Sequence, residues 1–272
     1  MRLVCRRVPA GTAEIVGAGW QARRMSISPE VAAFYLRCLL ADSARLSEVG
    51  RMGLAADVPS CPGWTVESVL RHTAQVYLHK VEILRLGARP DPWPPELADD
   101  DALDLYDDAR AKVVAALEKA GPDVPTWTFS PEDHSSAFWF RRMAQETAVH
   151  RVDAELAHDV LTPIDRDLAL DGIDEVLGLM LGGPWWEEGD TAYPVDATVR
   201  VTADGRSWTT RLDATTATVT DGAGGEVTAE IFGEPDTVLL WLWGRNGSEA
   251  IQTAGDDAAV TAFRGRLAEC TA

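Results

Sequence analysis

The sequence predicts a two-domain α+β protein, in which a helical bundle is followed by a small domain of strands and helices. Three observations predict it. The N-terminal half contains long segments whose apolar residues recur at helical spacing. The C-terminal half contains short Thr- and Val-rich segments of period two, separated by turns. A chain of 272 residues is also long enough to form two cores.

Four helices are predicted in the N-terminal half from their start and stop signals. They begin near Ser28, Thr65, Asp101 and Ser136, and the last three end near Gly87, Ala120 and His158. Serine, threonine and aspartate are favoured N-caps, and Pro29 suits the first helical position. Four prolines between residues 90 and 95 prevent a helix in the second connection. Helices of this length fit an antiparallel four-helix bundle, in which metal sites form between facing helices.

The pattern changes after Pro163, where the second domain is expected to begin. A helix at about 167–181 precedes four predicted strands, and two helices close the chain. The strands are predicted at 197–201, 208–212, 217–219 and 226–231, and the last helices at about 235–244 and 256–269. The predicted domains are therefore 25–162 and 163–272, with residues 1–24 as a disordered extension.

Composition and charge exclude several classes of function. The net charge of -18 argues against a nucleic-acid partner, because phosphate backbones require clustered Lys and Arg. No apolar run approaches the roughly 18 residues that a membrane span needs. The four cysteines form no CxxC pair, which indicates a reducing cytoplasm rather than a disulfide framework. We expect a cytoplasmic protein with small-molecule partners, either a monomer or a homodimer.

Glu146 and His150 are the most informative pair, because a spacing of four residues places both side chains on one helix face. His72 lies in another helical segment. If the two helices face each other, two imidazoles and one carboxylate can bind one metal ion and leave a position open, as catalytic zinc sites do. Iron, nickel and manganese also suit this donor set. The ordinary alternative is a surface Glu–His pair of a few tenths of a kcal/mol.

Three ordered motifs resemble the mycothiol-dependent maleylpyruvate isomerase family. They are Val58–Val66 followed by His72, Arg141–Glu155, and Leu240–Arg245. The resemblance implies a DinB-like four-helix bundle followed by a domain like sterol carrier protein. It also implies a divalent metal, usually Zn2+, held by His72, Glu146 and His150. One departure from the family pattern is Gln145, which stands where relatives often carry His.

The same resemblance implies a metal-dependent enzyme that activates mycothiol, a low-molecular-weight thiol, for addition to an electrophilic substrate. The reaction is either thiol S-transfer or cis–trans isomerisation. The family places a functional Arg in the C-terminal domain, and Arg245 is the best match. Arg245 and Arg142 are the candidate catalytic residues, since either could hold a carboxylate or stabilise enolate charge. Two alternatives stay open: a non-catalytic protein that binds a metal and a small ligand, and a metal-dependent hydrolase.

Asp153 and Cys61 are two further candidates for a role at the predicted metal site. Asp153 is three residues after His150 and could orient it, or form an ordinary salt bridge. Cys61 is a weak candidate for a fourth ligand, and packing beside Trp64 is the expected alternative.

Overall fold

The computed structural model describes residues 27–91, 101–184, 186 and 191–271. The chain divides into two compact units: a helical unit, Arg23–Leu168, and a sheet unit that contains Ala169–Ala272. The α+β class with an N-terminal helical bundle and a C-terminal sheet domain is confirmed. The extension predicted to be disordered, residues 1–24, lies outside the described residues.

The four predicted helices of the helical unit are present, each with a boundary close to its sequence signal. They are α1 (Pro29–Gly50), α2 (Val66–Leu86), α3 (Ala102–Ala120) and α4 (Ser136–Ala157). The Ser28 side chain caps α1, and Asp101 caps α3. Thr65 and Ser68 form a reciprocal capping box at the start of α2. Local capping chemistry therefore determines where these helices begin.

The side-chain contacts establish the directions of α1, α2 and α4. Arg151 of α4 pairs with Asp42 of α1, and Glu155, one turn further along α4, pairs with Arg45 of α1. Because a later residue of α4 contacts a later residue of α1, the two helices run parallel. By contrast α2 is antiparallel to α4: its first half contacts the second half of α4, and Lys80, near its end, lies over the ring of Trp139 near the start of α4.

The remaining helix, α3, runs antiparallel to α1 and packs against α2. The Tyr106 hydroxyl donates to the Ser43 carbonyl, and Leu103, one turn earlier in α3, lies beside Gly50, seven residues later in α1. The four helices therefore run up, down, down and up. The long connection between α2 and α3 (residues 87–101) permits these two successive helices to run in the same direction.

Helix α4 is the centre of the helical unit. It packs against α1, α2 and α3, and nearly all of its residues are buried. Its sequence predicts one apolar face, yet polar side chains are buried around it as well: Arg142, Gln145, Glu146, Thr147, His150, Arg151, Asp153 and Glu155. Buried charges are costly unless they are paired or bind a metal. The contacts of these side chains therefore indicate what the helix does.

The second half of the chain forms a five-stranded sheet with three helices. The helices are α5 (Arg166–Glu175), which continues as a π-helix (Val176–Leu181), α6 (Pro235–Leu242) and α7 (Asp257–Thr271). The strands are β1 (Ala197–Ala203), β2 (Arg206–Leu212), β3 (Ala217–Asp221), β4 (Ala229–Gly233) and β5 (Gln252–Gly255), in the order β3-β2-β1-β4-β5. All neighbours are antiparallel except β1 and β4.

The strands differ from the sequence prediction in their bounds, since β1, β2 and β3 are each two residues longer than predicted. The segment predicted as 226–231 forms β4 only from Ala229, where pairing with Val199 begins. Strand β5 is not predicted, because it is a four-residue edge strand whose side chains are all exposed and so has no apolar alternation.

No disulfide joins the described cysteines Cys38, Cys61 and Cys270 to one another. None of the helices in the described part of the chain is both long enough and apolar enough to cross a membrane.

A candidate metal centre in the helical bundle

The predicted metal-binding residues lie on two helices that pack against each other, α2 and α4. His72 lies about two turns after the capping box that begins α2. Glu146 and His150 lie one turn apart in α4, and so project from the same face of that helix. The antiparallel packing of α2 on α4 brings His72 to this face.

The three side chains converge on one point. His72 Nε2 lies 3.4 Å from Glu146 Oε1, and His150 Nε2 lies 3.2 Å from the same oxygen. One ligand atom from each residue lies within 4.8 Å of the other two. The Glu146 and His150 side chains are 6% and 1% exposed, whereas that of His72 is 15% exposed. The cluster is therefore buried, with His72 as its most exposed member.

This spacing fits a divalent metal ion. Ligand atoms placed 2.0–2.2 Å from a tetrahedral ion lie about 3.4 Å from one another. Both distances to Glu146 Oε1 agree with that separation. Across the described residues, no other group of at least three His, Cys, Asp or Glu side chains has this geometry. The donor set suits zinc, and its three ligands leave one tetrahedral position for another molecule.

Arg142 explains how Glu146 stays ionised in a buried site. Burial alone would raise the pKa of the Glu146 carboxyl, but Arg142, His150 and His72 together outweigh burial and hold this pKa well below its usual value. The Arg142 guanidinium pairs with Glu146 Oε2, while Oε1 faces the two imidazoles. The carboxylate therefore presents a charged oxygen where a cation would bind.

The two imidazoles differ in their proton affinity. Burial lowers the pKa of His72, because Glu146 only partly compensates for the loss of solvation and His150 adds to the lowering. Burial also opposes protonation of His150, but its hydrogen bonds to Asp153 and Glu146 outweigh it and raise the pKa to about 9. The lowered pKa favours the neutral form of His72, which metal binding would require, whereas His150 would have to release a proton before it could bind a metal.

Groups from α4 and from the loop before α2 surround His150. Its Nδ1 lies 2.9 Å from Asp153 Oδ2, and the Ser60 hydroxyl donates to Asp153 Oδ1 over 2.6 Å. The Trp64 ring lies 5.2 Å from the His72 ring and is stacked with the His150 ring at 6.5 Å. The sequence indicated Asp153, but not Ser60 or the position of Trp64. Both lie in the motif before α2, and no local pattern shows that this loop reaches α4.

The other residues considered from the sequence have distinct positions. Arg142 is 5% exposed and beside Glu146. Arg245 follows α6 in the sheet unit, where its guanidinium donates to the Trp243 carbonyl and lies 5.8 Å from the Trp243 ring. Gln145 donates to the Leu168 carbonyl over 3.0 Å, as expected of a side chain that points away from Glu146. Cys61 is buried and lies outside the metal-binding group.

Comparison with known proteins identifies a family and a fold. The family profile described as the mycothiol maleylpyruvate isomerase N-terminal domain matches residues 36–155. The resemblance indicated by the sequence motifs is thereby confirmed. A search of curated proteins gives no match.

Solved structures give the fold of most of the chain. The crystal structure of the mycothiol-dependent maleylpyruvate isomerase matches with a TM-score of 0.60 and 12% identity, over 82% of this chain and 92% of that chain. A mutant of that enzyme matches with a TM-score of 0.59 and the same identity and coverage. A UbiJ-SCP2 ubiquinone synthesis protein matches 39% of this chain and 93% of its own, with 18% identity and a TM-score of 0.28.

Proposed function

We propose a function from the match of residues 36–155 to the family profile described as the mycothiol maleylpyruvate isomerase N-terminal domain. The protein is a metal-dependent enzyme that activates a low-molecular-weight thiol, mycothiol, for addition to an electrophilic substrate. The outcome is S-transfer or cis–trans isomerisation. The observation that supports this proposal is the convergence of His72 Nε2 and His150 Nε2 on Glu146 Oε1, at 3.4 and 3.2 Å.

Each residue of the cluster has its own proposed role. His72, Glu146 and His150 would hold the ion, and zinc is the preferred metal for this donor set. A zinc ion bound there supplies a Lewis-acidic position at which a thiol loses its proton. Arg142 keeps Glu146 ionised, and the Trp64 ring lies 5.2 Å from the His72 ring and 6.5 Å from the His150 ring.

Ionisation of the thiol accounts for only part of a large rate enhancement. A free thiol of pKa ~8.5 is about 3% ionised at pH 7, so complete ionisation gains at most roughly 30-fold, or about 2 kcal/mol. Nucleophilicity also falls as the thiol pKa falls, with a slope of ~0.4–0.5. Orientation of the thiol and the electrophile must supply the remainder.

Arg245 is the proposed residue for the charge of the substrate. A guanidinium can hold a carboxylate in two hydrogen bonds or stabilise developing enolate charge. Arg245→Ala should therefore keep wild-type metal content and lower turnover. Metal loss in this variant would assign Arg245 a structural role, and unchanged kinetics would remove it from the mechanism.

A titration of the cobalt-substituted protein with mycothiol tests the proposal. Cobalt reports sulfur coordination through a charge-transfer band in the near-ultraviolet, and the band should grow to one equivalent of thiol. Oxidised mycothiol has no free thiol and is the matched control. When a panel of activated alkenes and alkyl halides is added, the band should be followed either by consumption of thiol, which S-transfer requires, or by cis–trans isomerisation of an activated cis-alkene, which regenerates the thiol. Bound cobalt without a band would contradict thiol activation, and a band without turnover would favour the non-catalytic binding protein.

A further inference from the structure

A short closed loop lies beside the candidate metal centre. Residues 57–65, here called the α2 loop, are closed by a backbone bridge between Asp57 and Thr65. Inside it, Val58 N–H donates to the Trp64 carbonyl over 2.9 Å, and Trp64 N–H donates to the Cys61 carbonyl over 2.9 Å. These bonds hold the tip of the loop in one conformation. Ser60 lies at that tip.

Polar contacts join Ser60, at the tip of the loop, to the candidate metal ligands of α4. The Ser60 hydroxyl donates to Asp153 Oδ1 over 2.6 Å. The other oxygen of the same carboxylate lies 2.9 Å from His150 Nδ1. The opposite nitrogen of that ring, Nε2, lies 3.2 Å from Glu146 Oε1. A single line of polar contacts therefore joins the α2 loop to the point where the three ligands converge.

The chemistry of this line determines the orientation of the His150 ring. A carboxylate only accepts hydrogen bonds, so Asp153 requires the proton of the neutral imidazole on Nδ1. The lone pair then lies on Nε2, the nitrogen that faces Glu146 and His72. Because Ser60 occupies Oδ1, the carboxylate plane cannot rotate freely about the Cβ–Cγ bond. Metal-ligating histidines typically donate their second nitrogen to a carboxylate in this way.

We propose that Ser60 and Asp153 are positioning residues for the metal, through which the α2 loop sets the tautomer and the orientation of His150. The inference rests on the proposed metal site. It adds that metal affinity depends on a serine from a loop that contributes no ligand. The alternative is an ordinary buried ion pair between His150 and Asp153 that stabilises the fold without affecting the metal.

Burial and packing favour the positioning role. Asp153 is 0% exposed and His150 is 1% exposed, so their contact excludes water. The α2 loop also supplies Trp64, whose ring is inclined by only 16° to that of His150. The α2 loop therefore reaches the surroundings of His150 at two places: Ser60 bonds the carboxylate on the Nδ1 edge, and the Trp64 ring lies nearly parallel to the imidazole at 6.5 Å.

Four variants of the full chain test the proposal, each with zinc alone as the probe. Asp153→Asn removes the charge and can present an amide N–H to Nδ1, which favours the wrong tautomer. Ser60→Ala removes the hydroxyl, and Ser60→Thr retains it. Asp108→Asn is a surface control, because Asp108 is exposed on α3 and pairs only with Lys112 among the described residues. Zinc dissociation constants come from competition with a chromogenic chelator, and visible spectra come from cobalt-loaded samples.

Asp153→Asn should weaken zinc binding by about 10- to 100-fold, and Ser60→Ala by roughly tenfold. Both should shift the visible bands of bound cobalt at saturating metal, a change that a merely structural role would not cause. Ser60→Thr should restore the wild-type affinity to within about threefold, and Asp108→Asn should equal wild type. Ser60 is half-buried in the loop, so Ser60→Ala should fold even if Asp153→Asn does not.

Two results separate the failure of this inference from that of the proposed function. Wild-type affinity and unshifted cobalt bands in folded Ser60→Ala and Asp153→Asn would overturn the positioning role and leave the metal site intact. A wild-type protein that binds neither zinc nor cobalt would instead overturn the proposed function, on which the inference depends.

Discussion

Replacement of Glu146 by glutamine should remove metal binding and lower stability, whereas the same replacement at Glu155 should lower stability alone. Both carboxylates lie on α4, with side chains 6% and 0% exposed. Each forms a buried ion pair one turn away on the same helix, Glu146 with Arg142 and Glu155 with Arg151. Only Glu146 also contacts the two imidazoles. Glu155→Gln is therefore a matched control for the loss of a buried charge.

The burial of both pairs determines the expected magnitudes. An exposed ion pair contributes about 0–1 kcal/mol, but removal of one partner from a buried pair costs about 3–5 kcal/mol, because the remaining charge is left without compensation. Glu146→Gln should lose that amount from the unfolding free energy of the metal-free protein, whereas Glu155→Gln should lose no more than that, because Arg151 still pairs with Asp42. Structural zinc binds with about 10–16 kcal/mol over four ligands, or roughly 2.5–4 kcal/mol each. Glu146→Gln should therefore weaken zinc binding by about 60- to 700-fold.

Two measurements distinguish the loss of a metal ligand from the loss of stability. Urea unfolding in the presence of a chelator gives the stability of each variant, and chelator competition gives zinc affinity on samples whose circular dichroism shows folded protein. Wild-type zinc affinity in Glu146→Gln would refute the assignment of the site. Equal losses of affinity in both variants would also refute the reasoning, because the effect would then follow from weakened folding rather than from a lost ligand.

Three further predictions follow from named contacts. His72→Ala and His150→Ala should each abolish stoichiometric zinc binding while retaining helical circular dichroism; metal content near one equivalent in either variant would contradict the site. Burial raises the pKa of Asp42 to about 6, against the opposing charge of Arg151. The stability that Asp42 contributes is therefore complete below pH ~4 and lost as pH rises through 6. The unfolding free energy of Asp42→Asn, measured by urea titration, should therefore rise by up to about 3 kcal/mol relative to that of wild type between pH 4 and 7. A difference in unfolding free energy that stays constant over this pH range would refute the prediction. Burial raises the pKa of the Cys270 thiol to about 12, so mass spectrometry should find it unmodified by iodoacetamide at pH 8 until the protein is unfolded; rapid native alkylation would contradict its burial.

Helix boundaries in the helical unit are predictable because their causes are local. Ser28, Thr65 and Asp101 cap the following turns with their own side chains. Gly121 follows the last residue of α3 at a φ of 67°, a left-handed conformation that favours glycine. Each signal involves atoms within a few residues, so a single segment of sequence contains the whole interaction.

Local signals fail where the pairing partner is distant in sequence. Strand β5 has only exposed side chains, and its existence depends on the ladder that it forms with β4, for example between Gln252 and Phe232. The parallel pairing of β1 with β4 likewise joins segments separated by a hairpin. The π-helix after α5 ends where Gly182 N–H donates to the Leu177 carbonyl, five residues earlier, in a part of the chain whose apolar pattern predicts an ordinary helix.

The same distinction applies to the metal centre. The pairing of Glu146 with His150 follows from sequence spacing, because a helical repeat of 3.6 residues places positions four apart on one face. The approach of His72 to that face and the hydrogen bond from Ser60 to Asp153 are visible only in the folded protein. Those contacts join residues 74 and 93 positions apart. They depend on how α2 and its loop pack against α4, and such packing is determined by the shape of the whole core rather than by any local spacing.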